Sequence, residues 1–187
     1  MRLGIVSDIH GQWRALEAAI AAMGTIDHLV CLGDSIQQAA FSNETTALLR
    51  RNEALTILGN HEEAFFAGPG RNAPGVDPDL AGWLAARPAR IACEMAGRRV
   101  LIVHSTPWPS SHAYVPPGHR DFGRFDEADA DILLYGHTHM PVVRQLGSTL
   151  VVNPGSTGEG RPTSNGFVRS CAVLDLATAE ARIIDLD

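Results

Sequence analysis

Asp8-Ile9-His10, Gly33-Asp34, Gly59-Asn60-His61-Glu62 and Gly136-His137-Thr138-His139 are four short clusters of metal-ligating side chains. Each directly follows an apolar run, and strand ends are where α/β proteins assemble their sites. A lone His-x-His pair means little, because two histidines fall that close in many proteins. Four clusters in this setting point to one shared site. His104, closing the run Val100 to Val103, adds another nitrogen donor. The candidate ligands are therefore Asp8, His10, Asp34, Asn60, His104, His137 and His139. Their donors are all nitrogen or oxygen, a set that suits divalent transition ions better than a structural zinc. Asp34 follows a glycine, so its carboxylate can approach closely and bridge two ions. Mn²⁺ is the expected metal, with Fe or Zn as alternatives.

The elements that must position these residues are legible as hydrophobic patterns. Leu3 to Ser7, His28 to Leu32 and Leu55 to Leu58 are short apolar runs. Between them, Trp13, Leu16, Ile20 and Met23 recur at helical spacing, and a second helix follows with Asn43 as its cap. Alternating strands and helices predict parallel pairing with right-handed crossovers. Residues 68–79 are rich in Gly, Pro and Asp and predict a loop. Asp79 to Arg87 predicts a short helix stopped by Pro88. Ile91 to Met95 and Val100 to Val103 flank a hairpin turn. The four prolines in 105–120 predict a second long loop, of a length that usually serves function.

The last third is mostly strand-like: Ile132 to Tyr135, Val142 to Leu146, Thr149 to Val152, Phe167 to Leu174 and Ala181 to Leu186. Turns at Gly147-Ser148 and Ala177-Thr178 predict antiparallel hairpins. A parallel first half and an antiparallel second half predict an α/β fold of two packed, mixed β-sheets flanked by helices. No linker or repeat interrupts residues 1–187, which predicts a single domain.

A net charge of -6 argues against a broad nucleic-acid or anionic-membrane surface. It leaves room for a phosphate ligand, because bound metals reverse the local sign. All 15 basic residues are arginine, so Schiff-base and P-loop lysine chemistry are excluded. Cys31, Cys93 and Cys171 are widely spaced and odd in number, which predicts free thiols and a cytoplasmic protein. The chain opens directly on a strand-like run, and no run approaches the length of a membrane span.

The order DIH, GD, GNHE, VH, GHTH resembles the calcineurin-like metallophosphoesterase superfamily. The resemblance runs from Asp8 to His139, and Asn153-Pro154-Gly155-Ser156 extends it along most of the chain. It implies one metal held by Asp8, His10, Asp34 and His139, and a second held by Asp34, Asn60, His104 and His137. Asn60 and His61 would also touch the substrate. His61 would not be a ligand but would contact the phosphate and protonate the leaving group, a task suited to a histidine. The implied chemistry is attack by a hydroxide held between two ions. Two divalent ions less two carboxylates and one hydroxide leave about +1, which attracts phosphate. The implied fold, two mixed sheets sandwiched by helices, agrees with the patterns above.

One departure bears on substrate. The protein-phosphatase branch carries Asp and Arg three and four positions after the bridging aspartate; here those positions are Gln37 and Gln38. The partner that orients His61 is therefore unknown, and a phosphoprotein substrate is disfavoured. The expectation is a small phosphorylated substrate, a phosphodiester first. Phosphomonoesters and nucleotide anhydrides suit the same core. A non-catalytic protein-binding scaffold of this fold would have lost ligands, and none is lost here. A metallo-β-lactamase-type hydrolase would need an HxHxDH run, which is missing. Glu62 either supports a ligand or starts a helix. Arg161 is a candidate phosphate contact, although a solvated arginine is the default, as it is for Arg120 and Arg124. His112 and His119, in the long loop, are candidate substrate contacts, with a solvent-facing position as the default.

Overall fold

Strand burial explains the apolar runs. In the computed structural model, which describes residues 1–110 and 112–186, β1 (Arg2–Val6), β2 (His28–Cys31) and β3 (Leu55–Thr56) pair in parallel. β11 (Ser170–Asp175) joins β1 antiparallel, and β12 (Glu180–Asp185) completes a first sheet ordered β12-β11-β1-β2-β3. The second sheet is ordered β4-β5-β6-β8-β7, from β4 (Arg90–Met95), β5 (Arg98–Val103), β6 (Ile132–Leu134), β7 (Val142–Leu146) and β8 (Thr149–Asn153). Leu3, Ile5, Val30 and Leu32 of the first sheet pack against Val100, Ile102, Ile132 and Leu134 of the second. Outside the first sheet, α1 (Trp13–Met23) and α2 (Asn43–Arg51) cover Cys31, Cys171 and Val173 with Leu16, Met23, Leu48 and Leu49. Outside the second, Phe122, Phe125 and Val115 cover Leu101, Leu133 and Val151. Central strands are thus buried on both faces and read as unbroken apolar runs. The edge strand β4 alternates exposed and half-buried residues instead.

The expected architecture of two packed mixed sheets with outer helices is the one observed. The division into a parallel and an antiparallel half is corrected. The hairpins β4-β5, β7-β8 and β11-β12 are antiparallel, but β5, β6 and β8 run parallel, and β11-β12 returns to the first sheet. The strand expected over Phe167 to Leu174 is two: β10 (Gly166–Val168), paired with β9 (Arg161–Thr163), and β11. The cap of α2 is Ser42, whose hydroxyl accepts from the Thr45 amide at 3.1 Å. Asn43 instead holds the 73–77 segment, donating to Gly75 O and accepting from the Asp77 amide. The helix expected over Asp79 to Arg87 is α4 (Pro78–Ala85), which starts one residue earlier because Asp77 caps it and Pro78 occupies its first turn, and ends two residues earlier. Within the loop expected over 105–120, Ser111 lies outside the described residues, as does Asp187 of the expected 1–187 domain.

Candidate metal centre

Both sheets deliver their clusters to one place. Asp8 and His10 follow β1, Asp34 follows β2, and Asn60 and His61 open α3 (Asn60–Ala67) just after β3. From the second sheet, His104 follows β5, and His137 and His139 follow β6. Three groups of ligand atoms form, each with members within 4.8 Å of one another: Asp8-His10-His139, His10-Asp34-His61 and Asp34-His104-His137. Asp34 belongs to two of them and His10 to two.

The backbone at these positions is unusual. Asp8, His10, Asp34, His137 and His139 all adopt left-handed φ between 50° and 65°. Asp and His tolerate that region better than most residues, and such conformations persist only where surrounding contacts hold them. Close packing is part of that support. Gly33 has φ +93°, and a Cβ there would lie 2.7 Å from the Gly59 nitrogen and 2.8 Å from His104 Nδ1. A Cβ at Gly136 would overlap Ser7 Oγ.

Each carboxylate is anchored through one oxygen and presents the other. Asp8 Oδ2 accepts from Ser7 Oγ (2.5 Å) and the His137 amide (3.0 Å). Its Oδ1 is fully buried without a hydrogen-bond partner, 3.4 Å from His139 Nε2. Asp34 Oδ1 accepts from the His61 amide at 2.9 Å, while Oδ2 lies 3.4 Å from His104 Nε2 and 3.9 Å from His61 Nε2. The imidazoles are oriented likewise. His104 Nδ1 donates to Leu32 O at 2.7 Å, so Nε2 is the nitrogen aimed at Asn60 Oδ1 (3.0 Å) and Asp34. His137 Nε2 donates to His112 O at 2.9 Å, which leaves Nδ1 its lone pair. Such outer hydrogen bonds fix tautomer and aim in metal-binding histidines. His10 and His139 bring Nε2 atoms within 3.2 Å of each other beside the orphaned Asp8 oxygen. A cation satisfies this arrangement of converging lone pairs, and the residues present fit one.

Glu62 is a support, not merely a helix start. Completely buried, it accepts from the amides of Asp34 (2.9 Å), Ser35 (2.6 Å), Ile36 (3.2 Å) and Gly59 (2.8 Å) and from Ser35 Oγ (2.7 Å). It thereby ties the Asp34 turn to the start of α3. Burial and the Asp34 charge push its carboxyl above the ordinary range.

The electrostatics couple Asp34 to His104. Burial pushes the Asp34 carboxyl up, but the His104 hydrogen bond and charge outweigh it and bring the carboxyl down to about 2. Burial likewise pushes His104 down, and Asp34 outweighs it, raising the imidazole to about 9. A raised folded-state value contributes stability below the ordinary histidine range and loses it as pH climbs through about 9. Chelator-treated protein should therefore lose Tm between pH 7 and 9.5. The loss should be smaller in His104→Gln, by thermal melts across that range. Equal losses in the two proteins would refute the pairing.

Of the further supports, the Asn153-Pro154-Gly155-Ser156 loop has the role near the site that the sequence favours over a simple turn, whereas Tyr114 and the His112 carbonyl were missed by sequence reasoning. Ser156 Oγ donates to Asp8 O at 2.8 Å, and the amides of Thr157 and Gly158 donate to Ser7 O and Asp8 O. The Asn153-Pro154-Gly155-Ser156 loop thus backs the end of β1. Asn153 Nδ2 donates to Gly136 O at 2.8 Å. Tyr114 donates to Thr138 O at 2.5 Å. For His112 a solvent-facing position is the default, but its carbonyl orients His137 and its ring pairs with Glu63 at 2.9 Å. Two other expectations need comment. Arg161 is not brought to the centre: its guanidinium forms a two-point pair with Asp185 at 3.0 and 2.9 Å. His61 reaches the cluster, its ring 4.5 Å from that of His10, but its buried Nδ1 has no partner among the described residues. Beside His104 opens a cleft of about 310 Å³, bounded by Leu58, Glu63, Arg90, Thr106, Trp108 and His112. Among the described residues, no helix is long and apolar enough to cross a membrane.

The chain is similar to several known proteins. An uncharacterized protein of Methanocaldococcus jannaschii is 26% identical over 87% of this chain and 79% of its own length. The phosphodiesterase YfcE of Escherichia coli is 39% identical over 57 residues, 29% of this chain and 31% of its own. The crystal structure of a metallophosphoesterase from Sphaerobacter thermophilus superposes over all of this chain and 89% of its own, with a TM-score of 0.79 at 21% identity. The model of the calcineurin-like phosphoesterase superfamily domain matches residues 1–179. The chain belongs to that superfamily and is a metal-dependent phosphoric ester hydrolase.

Proposed function

We propose that this chain, acting as one domain, hydrolyses small phosphodiesters with two divalent ions. The observation that carries the proposal is Asp34, which stands in ligand groups with both His10 and the His104-His137 pair. Asp8, His10, Asp34 and His139 would hold one ion, and Asp34, Asn60, His104 and His137 the other, with Mn²⁺ favoured by the nitrogen and oxygen donors. When bound, the two ions supply Lewis-acid activation of water and of the phosphoryl oxygens. Asp8 and Asp34 hold their site-facing oxygens still, because their second oxygens are tied to backbone amides. His61 would place Nε2 over the Asp34 edge of the cluster and give its proton to the departing alkoxide oxygen.

The cleft beside His104 is at the small end of ligand pockets, which suits the ester group of a small molecule. Gln37, which stands where the protein-phosphatase branch has Asp, hydrogen-bonds to Glu159 at 3.4 Å. The runner-up substrates are phosphomonoesters and nucleotide anhydrides; a non-catalytic scaffold is disfavoured by the complete donor set. The buried thiols of Cys31 and Cys171 are unpaired and fit a reducing cytoplasm.

Asp34→Asn removes the shared charge, so it should lower the content of both ions together. Elemental analysis of Mn²⁺-reconstituted protein should give about two ions per chain in the wild type and a loss of both in the variant. One tightly held ion with full activity would refute the two-metal reading. Comparing kcat/KM for bis-p-nitrophenyl phosphate and p-nitrophenyl phosphate decides the ester class.

A further inference from the structure

We infer that Glu159 is a specificity-determining residue that disfavours dianionic phosphomonoesters relative to monoanionic diesters. This deepens the two-metal reading above and rests on it. Glu159 lies on the loop that backs β1, and its amide donates to Ser156 Oγ at 2.9 Å, the same hydroxyl that donates to Asp8 O. Gln37 Nε2 holds Oε1 at 3.4 Å. The other oxygen, Oε2, lies 3.9 Å from His10 Nε2 and 3.9 Å from His139 Nδ1. The side chain is 49% exposed, so the carboxylate stands at the open edge of the first donor group, and an ester held across both ions from the His104 cleft would meet it there. The nearest arginine in sequence does not neutralise it, because Arg161 is committed to Asp185. Among the carboxylates of the centre, Asp8 and Asp34 face the metal positions, Glu63 at the cleft is paired with His112, and Glu159 stands at the exposed edge beside His10 and His139.

Charge then discriminates between ester classes. A monoester is close to a dianion at pH 8, whereas a diester carries one charge. Glu159 repels both, and repels the monoester by one charge more. At a separation of a few ångström in a half-exposed site, one extra charge corresponds to a preference on the order of tenfold.

Glu159→Gln keeps the amide anchor and a hydrogen-bonding partner for Gln37, so the loop should keep its shape. Two readouts test the inference on Mn²⁺-reconstituted full-length protein at pH 8. Calorimetric titration with inorganic phosphate, a dianion at this pH, should show binding tighter to the variant by up to about a hundredfold, two charges being relieved, with metal content unchanged. The ratio of monoester to diester kcat/KM should rise by about tenfold, the share of the one extra charge, mostly through a lower monoester KM. Both differences should contract in 0.5 M salt, because Glu159 is exposed to screening. Unchanged phosphate affinity and an unchanged ratio would overturn the inference while leaving the phosphoesterase reading intact. A loss of metal in the variant would also overturn it, making Glu159 a ligand. Failure of either protein to bind phosphate or cleave either ester would overturn the site reading and the inference together.

Discussion

His61→Ala should retain the full metal content and lower kcat by about 10²–10⁴-fold on an alkyl phosphodiester. The residue touches the cluster through its ring edge, 3.9 Å from Asp34 Oδ2, and supplies no anchor to either carboxylate except its backbone amide, which alanine keeps. In the proposed role its removal would take away a proton donor and leave the donor groups standing. The dependence on leaving group separates this role from simple phosphate binding. A p-nitrophenolate departs with little protonation, so its penalty should be far smaller than that of an alkoxide. Equal losses for the two classes would assign His61 to binding the phosphoryl group. Loss of metal would make it a ligand, a role that distance alone permits, since it stands in a group with His10 and Asp34.

The second large effect falls on stability. Glu62→Ala should lower the unfolding free energy by about 3–5 kcal/mol, at the upper end of point-mutant effects. Four backbone amides and one hydroxyl point at this carboxylate from the Asp34 turn and the start of α3, all inside the protein. Alanine would leave these donors buried without acceptors. Urea unfolding of metal-free protein should show a lower midpoint with an unchanged slope. A change below about 1 kcal/mol would mean that water replaces the carboxylate and that the turn does not depend on it.

Much of the centre was legible because its residues are adjacent in sequence to the strands that carry them. Asp8, Asp34, Asn60, His104 and His137 each follow an apolar run, and a strand end fixes where a short loop can aim. The parallel pairing of β5, β6 and β8 was not legible. Hairpin turns are local signals, such as Gly147-Ser148, whereas a parallel neighbour is separated by a long crossover that leaves no mark at the pairing residues. The same limit hid His112, whose carbonyl meets His137 across 25 positions of chain. Glu62 was ambiguous because a glutamate three residues after Gly59 also looks like a helix-capping acid, and it does accept from the Gly59 amide. Arg161 followed the default for a surface arginine: its partner Asp185, on β12, is identified only once the strand order is known.

The convergence of donors from both sheets also bears on the order of folding. Asp8, His10, Asp34 and Asn60 come from the layer built by β1, β2 and β3, while His104, His137 and His139 come from the opposite layer. Neither of the two four-residue sets proposed for the ions is complete within one layer. His139 of the first and His104 and His137 of the second come from the opposite sheet, so each set would exist only after the layers have docked across their apolar core. An ion that needs both layers arrives late and acts as a removable cross-link. It would leave the barrier to collapse nearly untouched and raise the barrier to separation, so loading the centre should lengthen the lifetime of the native state more than it hastens its formation.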